Sequence, residues 1–188
     1  LQPCGLFTIH SEFCARWQIR LAQAYMKRAD VAGVLKMLSE ADQIRYGKIS
    51  PKRQCGFVAS RLALRALSVQ FTDGGCVDPV VRHDANGAPV LVDEVGLSDV
   101  TVSISHTKNA ALVALGRGRF GVDIESIRPR EERWARAFLS LGELKEMGEM
   151  IARMDVNPDV LLTTWWSAKE AYLKATREGL YTHPGEIT

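Results

Sequence analysis

The apolar positions of this chain change period twice. Near the start, Phe13, Trp17, Leu21 and Tyr25 recur every four residues, with Ser11 placed as an N-cap, and predict a helix. A shorter stripe of Val31, Val34, Leu35 and Leu38 ends at Ser39. From Phe57 to Phe71 the positions Val58, Leu62, Leu64 and Leu67 again predict a helix, broken by Asp73-Gly74-Gly75. The middle third reads as strands. Asn86-Gly87 predicts a turn before the extended run Pro89 to Val92, and Val102 and Ile104 alternate with Thr101, Ser103 and Ser105. Ala110 to Leu115 has the character of a buried strand. Gly116-Arg117-Gly118 then predicts a tight turn into a further strand through Phe120, Val122 and Ile124, antiparallel to the one before it. The last third returns to helix. Ser140 and Glu143 form a capping box ahead of Leu144, Met147 and Ile151. After a boundary at Asn157-Pro158, an apolar stripe runs through Leu161, Trp165, Ala168, Tyr172 and Ala175. Helices at both ends around antiparallel strands predict an α+β fold.

A length of 188 residues sets one domain or two small packed halves. With 46% apolar and 24% charged residues, disordered, collagen-like and coiled-coil readings drop out. No apolar run approaches the roughly 18 to 20 residues of a membrane span, so a soluble protein without membrane contact is expected. Basic and acidic residues number 24 and 22, a balance that does not imply nucleic-acid binding. The basic residues are unevenly placed, however. Arg45, Lys48, Lys52, Arg53, Arg61 and Arg65 cluster around Pro51 and admit three readings: a solvated helix face, a nucleic-acid face, or a cradle for an anionic small molecule. Cys4, Cys14, Cys55 and Cys76 show no C-x-x-C spacing, so reduced thiols in a cytoplasmic protein are expected. No signal peptide is visible, and a chain that starts at Leu1 is compatible with a domain cut from a larger protein. Walker, G-x-G-x-x-G and G-x-S-x-G motifs are missing, which leaves the common nucleotide-fold and hydrolase readings without support.

Three groups of residues carry candidate chemistry. On a strand, Asp123 and Glu125 project from one face with Cα atoms about 7 Å apart. Paired carboxylates repel unless a cation lies between them, and oxygen ligands suit Mg²⁺, although an isolated D-x-E is more often a solvated strand face. On the final helix, Thr163, Ser167, Glu170 and Lys174 share the side opposite the apolar stripe. Glu170 and Lys174 alone would be an ordinary i, i+4 surface pair. A third carboxylate beside the first two completes a hard-cation site, with a lysine one turn on for phosphate. His106 follows a strand and is flanked by hydroxyls, so a phosphate contact stands beside the blander reading of a hydrogen-bonded structural histidine.

Taken together, Gly121-Val-Asp123-Ile-Glu125 and Trp166-Ser-Ala-Lys169-Glu170-Ala-Tyr-Leu-Lys174, separated by 43 positions from Asp123 to Trp166, resemble the signature blocks of 4′-phosphopantetheinyl transferases. Ser103-Ile-Ser-His106, Gly87-Ala-Pro89, Phe138-Leu-Ser140 to Glu143 and Arg61-Leu-Ala-Leu-Arg65 match further blocks in the family's order, from about Leu38 to Leu180. The length resembles the surfactin-type subfamily. That resemblance implies a pseudo-twofold monomer of two similar α+β halves, residues 1–118 and 119–188, with the site between them. It implies Mg²⁺ on Asp123, Glu125 and Glu170, and coenzyme A as co-substrate. Coenzyme contacts are implied for Arg45, Lys52, Arg53, Ser105, His106, Asp123, Lys169 and Lys174. Glu170 and Lys174 are the implied catalytic pair. The sequence departs from the family at Gly56, where a basic residue is frequent, at Ala88, where Gly-Lys-Pro is common, and at Arg177, where glycine is usual.

The activity so implied is transfer of 4′-phosphopantetheine from coenzyme A to a serine of an acyl or peptidyl carrier protein, with release of 3′,5′-ADP. Fatty-acid, polyketide and nonribosomal-peptide synthesis all use such carriers, so the chain is expected as a monomer or as a domain of a larger synthase. The alternative is a non-catalytic relative that docks a carrier protein or scaffolds a synthase. Nucleic-acid binding, which would show steep salt dependence, ranks last.

Overall fold

The computed structural model describes residues 7–14, 19–71, 79–92, 99–177 and 183–187. It begins with a β-hairpin where a helix was expected. Strands β1 (Phe7–Cys14) and β2 (Ile19–Met26) pair antiparallel, from Phe7 opposite Met26 to Cys14 opposite Ile19. A repeat of four is an even number, so an i, i+4 stripe lies along one face of a strand as readily as along a helix. The inward face of β2 is the other one. Ala22, Ala24 and Met26 are buried, whereas Gln23 and Tyr25 are exposed. Trp17 lies outside the described residues.

A 3₁₀ turn at Arg28–Asp30 leads into α1 (Val31–Leu35) and α2 (Glu40–Lys48). Ser39 caps α2 by accepting from the Asp42 N–H at 3.2 Å. The long helix α3 (Pro51–Phe71) starts on Pro51, six residues before the predicted stripe. A proline lacks only an N–H that the first helical turn leaves unpaired anyway. Asp73-Gly74-Gly75 lies outside the described residues. The hairpin β3 (Val81–His83) and β4 (Pro89–Leu91) turns where Asn86-Gly87 predicts it, with Gly87 at φ +82°. Asp84 Oδ1 accepts from the N–H groups of Asn86 and Ala88, both at 2.9 Å, which fixes the turn.

Strands β5 (Thr101–His106) and β6 (Ala110–Gly116) complete an antiparallel sheet of order β1-β2-β6-β5. Helix α3 lies across it. Val58, Leu62, Ala63 and Leu67 meet Ala22, Ala24, Val102, Ala111, Val113 and Leu115 in the main core. Small residues on β2 and β6 let the helix approach closely. At Gly56 a Cβ would fall 2.4 Å from the Thr107 carbonyl oxygen and 3.1 Å from the His106 Cβ.

The predicted strand at Phe120 to Ile124 does not form. β6 is already flanked by β2 and β5, so no edge of it is open to pairing. The segment runs beside β5 instead, tied by β5 hydroxyls rather than by a backbone ladder. Thr101 Oγ1 donates to the Gly118 carbonyl at 2.7 Å, and Ser103 Oγ accepts from the Val122 N–H at 3.0 Å.

The remainder is helical: α4 (Glu132–Arg136), α5 (Leu141–Met154) and α6 (Pro158–Thr176), then a 3₁₀ turn at Pro184–Glu186. The Ser140–Glu143 capping box and the Asn157 cap form as predicted. Trp134, Phe138 and Trp166 make a second core with ring centroids 4.7 to 5.3 Å apart. The buried positions of α6 include Leu162, Lys169 and Leu173, whereas Ala168 and Tyr172 of the predicted stripe are exposed. Leu161 at the start of the stripe is buried as expected, but farther along α6 burial shifts to Lys169 and Leu173, one position beyond Ala168 and Tyr172.

The α+β class holds. The repetition of two similar halves is not seen among the described residues: those up to 118 hold both sheets, and those from 119 on hold helices and no strand.

Gly121 is where α6 meets the segment after β6. A Cβ there would lie 1.9 Å from the Ala171 carbonyl oxygen, a backbone atom of α6 that cannot swing aside. Gly121→Ala is expected to destabilise the fold by about 1–3 kcal/mol or more through overpacking. A urea midpoint equal to that of the parent would show that the two elements are not in contact at this point.

Candidate functional site

A hollow of about 340 Å³ opens between α3, β5, the β3–β4 hairpin and α6. Its cations come from consecutive turns. Arg53, Phe57 and Arg61 stand at i, i+4 and i+8 on α3 and share one face. Buried Arg61 donates from Nε to Asp42 Oδ1 at 2.8 Å, and its guanidinium lies 4.6 Å from the centroid of the Phe57 ring. Arg45 of α2 lies 6.0 Å from the same centroid and 3.1 and 3.2 Å from the two ring nitrogens of His83. Burial, then Arg61, holds Arg45 below the ordinary arginine value, and burial, then Arg45, pushes His83 down. His106, at the end of β5, is lowered by burial and next by Arg53, so its neutral form prevails at neutral pH. Lys52 and Lys108 border a neighbouring surface dent together with Arg53 and His106. Cations crowded enough to depress one another are relieved by an anion.

The acidic side is built on α6. Glu170, Leu173, Lys174 and Arg177 border the hollow at i, i+3, i+4 and i+7. Lys174 Nζ donates to Asp123 Oδ1 at 2.6 Å, and Ser105 Oγ donates to the same oxygen at 2.7 Å. Ser105 thus orients Asp123 rather than bordering the hollow. Glu125 accepts from Arg130 at 3.4 Å. Glu170 is half-buried. Burial raises its pKa above the ordinary glutamate value, with Lys174 pulling the other way and Asp123 and Glu125 adding to the rise.

Among the described residues no group of three Asp, Glu, His or Cys side chains is gathered closely enough to hold a metal ion. The donor chemistry still fits a hard cation. Asp123 is 5% exposed at its side chain, and its Oδ2 is buried without a hydrogen-bond partner. Asp123 and Glu125 also border a groove with Thr163 and Ser167 of α6, and the polar side-chain atoms lining that groove are all oxygen.

Lys169 is turned away from the hollow. Its ammonium pairs with Glu143 Oε1 at 2.7 Å and donates to the carbonyls of Pro184 at 2.8 Å and Ile187 at 2.5 Å. At about 100° per residue, Lys169 is turned roughly 100° from Glu170 and roughly 140° from Lys174, whereas Glu170 and Lys174 lie only about 40° apart, so Lys169 does not share their face. Its expected coenzyme contact is replaced by a tie between α6, α5 and the final 3₁₀ turn. Sequence reasoning missed Phe57, His83 and Asn86 as borders of the hollow. The i, i+4 relation of Phe57 to Arg53 was a usable signal, but His83 reaches Arg45 only through the hairpin's tertiary placement.

Comparison with known proteins bears on what such a site does. The family model of the 4′-phosphopantetheinyl transferase superfamily matches residues 119–188, which carry Asp123, Glu125, Glu170 and Lys174. The 4′-phosphopantetheinyl transferase HetI of Nostoc sp. (strain PCC 7120) is 28% identical over 178 residues, 92% of this chain and 72% of that protein. The match to the superfamily model and the similarity to HetI along most of the chain both point to the 4′-phosphopantetheinyl transferases.

Further relatives match over part of the chain. The 4′-phosphopantetheinyl transferase AcpT of Escherichia coli (strain K12) is 36% identical over 102 residues, 51% of this chain and 48% of that protein. The holo-[acyl-carrier-protein] synthase of Anoxybacillus flavithermus is 29% identical over 83 residues, 41% of this chain and 69% of that protein. The expectation of a phosphopantetheinyl transferase is met at the level of the superfamily. The Gly56 departure from the family pattern has a local reason. The close approach of α3 to Thr107 and His106 leaves no space for a side chain there. Gly56→Lys is expected to displace His106 and to lower the thermal midpoint by several degrees. An unchanged midpoint would show that β5 yields freely at this point.

Proposed function

We propose that this chain transfers the 4′-phosphopantetheine group of coenzyme A to a serine hydroxyl of an acyl or peptidyl carrier protein, releasing 3′,5′-ADP. The observation that carries the reading is the placement of Glu170 and Lys174 against Asp123 at the edge of a cation-lined hollow. Residues from 1–118 and from 119–188 both border that hollow, which supports a site between two halves of a surfactin-type enzyme.

In this reading Arg45, Lys52, Arg53 and His106 receive the adenosine 3′-phosphate, and the neighbouring pyrophosphate lies beside Lys174. Glu170 takes the proton of the attacking serine hydroxyl, for which its raised pKa fits it. The serine oxygen forms a bond to the β-phosphorus as the bond from that phosphorus to the bridging oxygen breaks. Lys174 places positive charge on the departing phosphate oxygen, and Asp123, braced by Ser105, holds Lys174 in position. Asp123, Glu125 and Glu170 would hold Mg²⁺, which when bound neutralises phosphate charge and polarises the transferred group.

No helix among the described residues is long and apolar enough to cross a membrane. We place the reaction in the cytoplasm, in keeping with the free thiol of buried Cys55. Intact-mass measurement of an apo carrier protein after incubation with coenzyme A, Mg²⁺ and this chain tests the proposal. A phosphopantetheine mass gain that disappears with EDTA is the expected result. No gain on fatty-acid and peptide-synthetase carriers, beside a working transferase control, would favour the non-catalytic docking relative.

A further inference from the structure

Arg177 occupies a position that penalises it. It caps α6 in the left-handed region, at φ 60° and ψ 19°, where only Asp155 among the other described non-glycine residues also has positive φ. A β-carbon is strained there, and glycine would end the helix at lower cost. The residue borders the hollow one turn beyond Lys174, and its carbonyl meets Asn86 Nδ2 at 3.5 Å across the hollow's rim. Its guanidinium is exposed and has no carboxylate partner among the described residues. The other cations of the hollow are mostly committed. Arg61 is paired with Asp42, Lys174 with Asp123, and Arg45 lies against His83.

We infer that Arg177 is a specificity-determining contact for the nucleotide end of coenzyme A, giving a charge-assisted hydrogen bond to a phosphate oxygen from the rim formed with Asn86, Gly87 and Ala88. This inference rests on the function proposed above. Ala88 brings no charge to that rim, and Arg177 supplies a cation from the opposite wall. A strained cap kept by a residue with five donors, beside a site that takes a polyanion, is explained by the side chain and not by the turn.

The test is calorimetric binding of coenzyme A in EDTA to the wild-type chain, Arg177→Gln and Arg177→Gly, with thermal melts of each. Wild type is expected to bind, and both variants to bind roughly tenfold more weakly. The melting point of Arg177→Gly should rise, since strain is removed, while that of Arg177→Gln should stay unchanged. A structural cap alone would give the rise in melting point with no change in affinity, and that result overturns the inference while leaving the transferase reading intact. Absence of binding by the wild-type chain overturns both. In turnover with a carrier protein, the effect should fall on the KM for coenzyme A and not on kcat.

Discussion

Replacing Glu170 by glutamine is expected to leave the fold and coenzyme A binding intact and to slow transfer by about 10²–10⁴-fold. Glutamine keeps the shape and one acceptor oxygen of the side chain but has no basicity and no charge. Glu170 is half-buried on α6, next to Lys174 and within the fields of Asp123 and Glu125. Burial first, then the two like charges, raises its pKa against the pull of Lys174, and a more basic carboxylate is a better acceptor for the serine proton. Removing one of three mutually repelling carboxylates should not harm stability, so the thermal midpoint is expected at or slightly above the parent's. The measurement is single-turnover phosphopantetheinylation by intact mass beside coenzyme A titration. A variant that transfers at the parent rate would remove Glu170 from the mechanism, and one that loses coenzyme binding as well would assign it to the ground-state site.

Lys169→Met is expected to act on stability instead. The lysine side chain is 8% exposed and Glu143 is 16% exposed, and the ammonium also satisfies the Pro184 and Ile187 carbonyls. Methionine fills similar volume but leaves the carboxylate and both carbonyls without their donor. Breaking such a pair costs about 3–5 kcal/mol, or roughly 10 °C in thermal midpoint for a chain of this size. The double variant Lys169→Met, Glu143→Gln should recover part of the loss, because no unpaired charge remains. Coenzyme A affinity of the folded variant should match the parent. Weaker binding with an unchanged midpoint would restore the coenzyme contact that the motif alone suggests.

The same pair makes stability depend on pH. Burial works against the Glu143 charge, but hydrogen bonds from Lys169, from the Ser140 N–H and with the Ser140 hydroxyl outweigh it, and its pKa is lowered. A carboxyl with a folded-state pKa below its unfolded value contributes stability above the ordinary glutamate range and loses it as pH falls through the lowered value. Urea midpoints are thus expected to drop on acidification across that window. Lys169→Met should flatten the drop, and an equal slope in both proteins would show that Glu143 is not the group responsible.

How far the sequence could be read depended on how local the deciding physics was. The α5 and α6 starts were legible because Ser140, Glu143 and Asn157 act on N–H groups two or three residues away. Gly87 marked its turn for the same reason. The first hairpin was not legible: a stripe at i, i+4 satisfies strand and helix alike, and only pairing of β2 with β6 selects the strand. The segment at Phe120 to Ile124 has strand alternation but cannot pair with β6, since β2 and β5 already occupy both of its sides, and the β5 hydroxyls hold it in place of a backbone ladder.

At the candidate site, motif spacing alone pointed to the superfamily and singled out Asp123, Glu125, Glu170 and Lys174 as candidates, because residue type and order along the chain carry that information. Only the tertiary structure decided which neighbours are partners. It gave Lys169 to Glu143 and Lys174 to Asp123, although the two lysines lie five positions apart on one helix. A helix turns about 100° per residue, so such neighbours in sequence look out on different parts of the molecule, and what each meets is set by long-range packing.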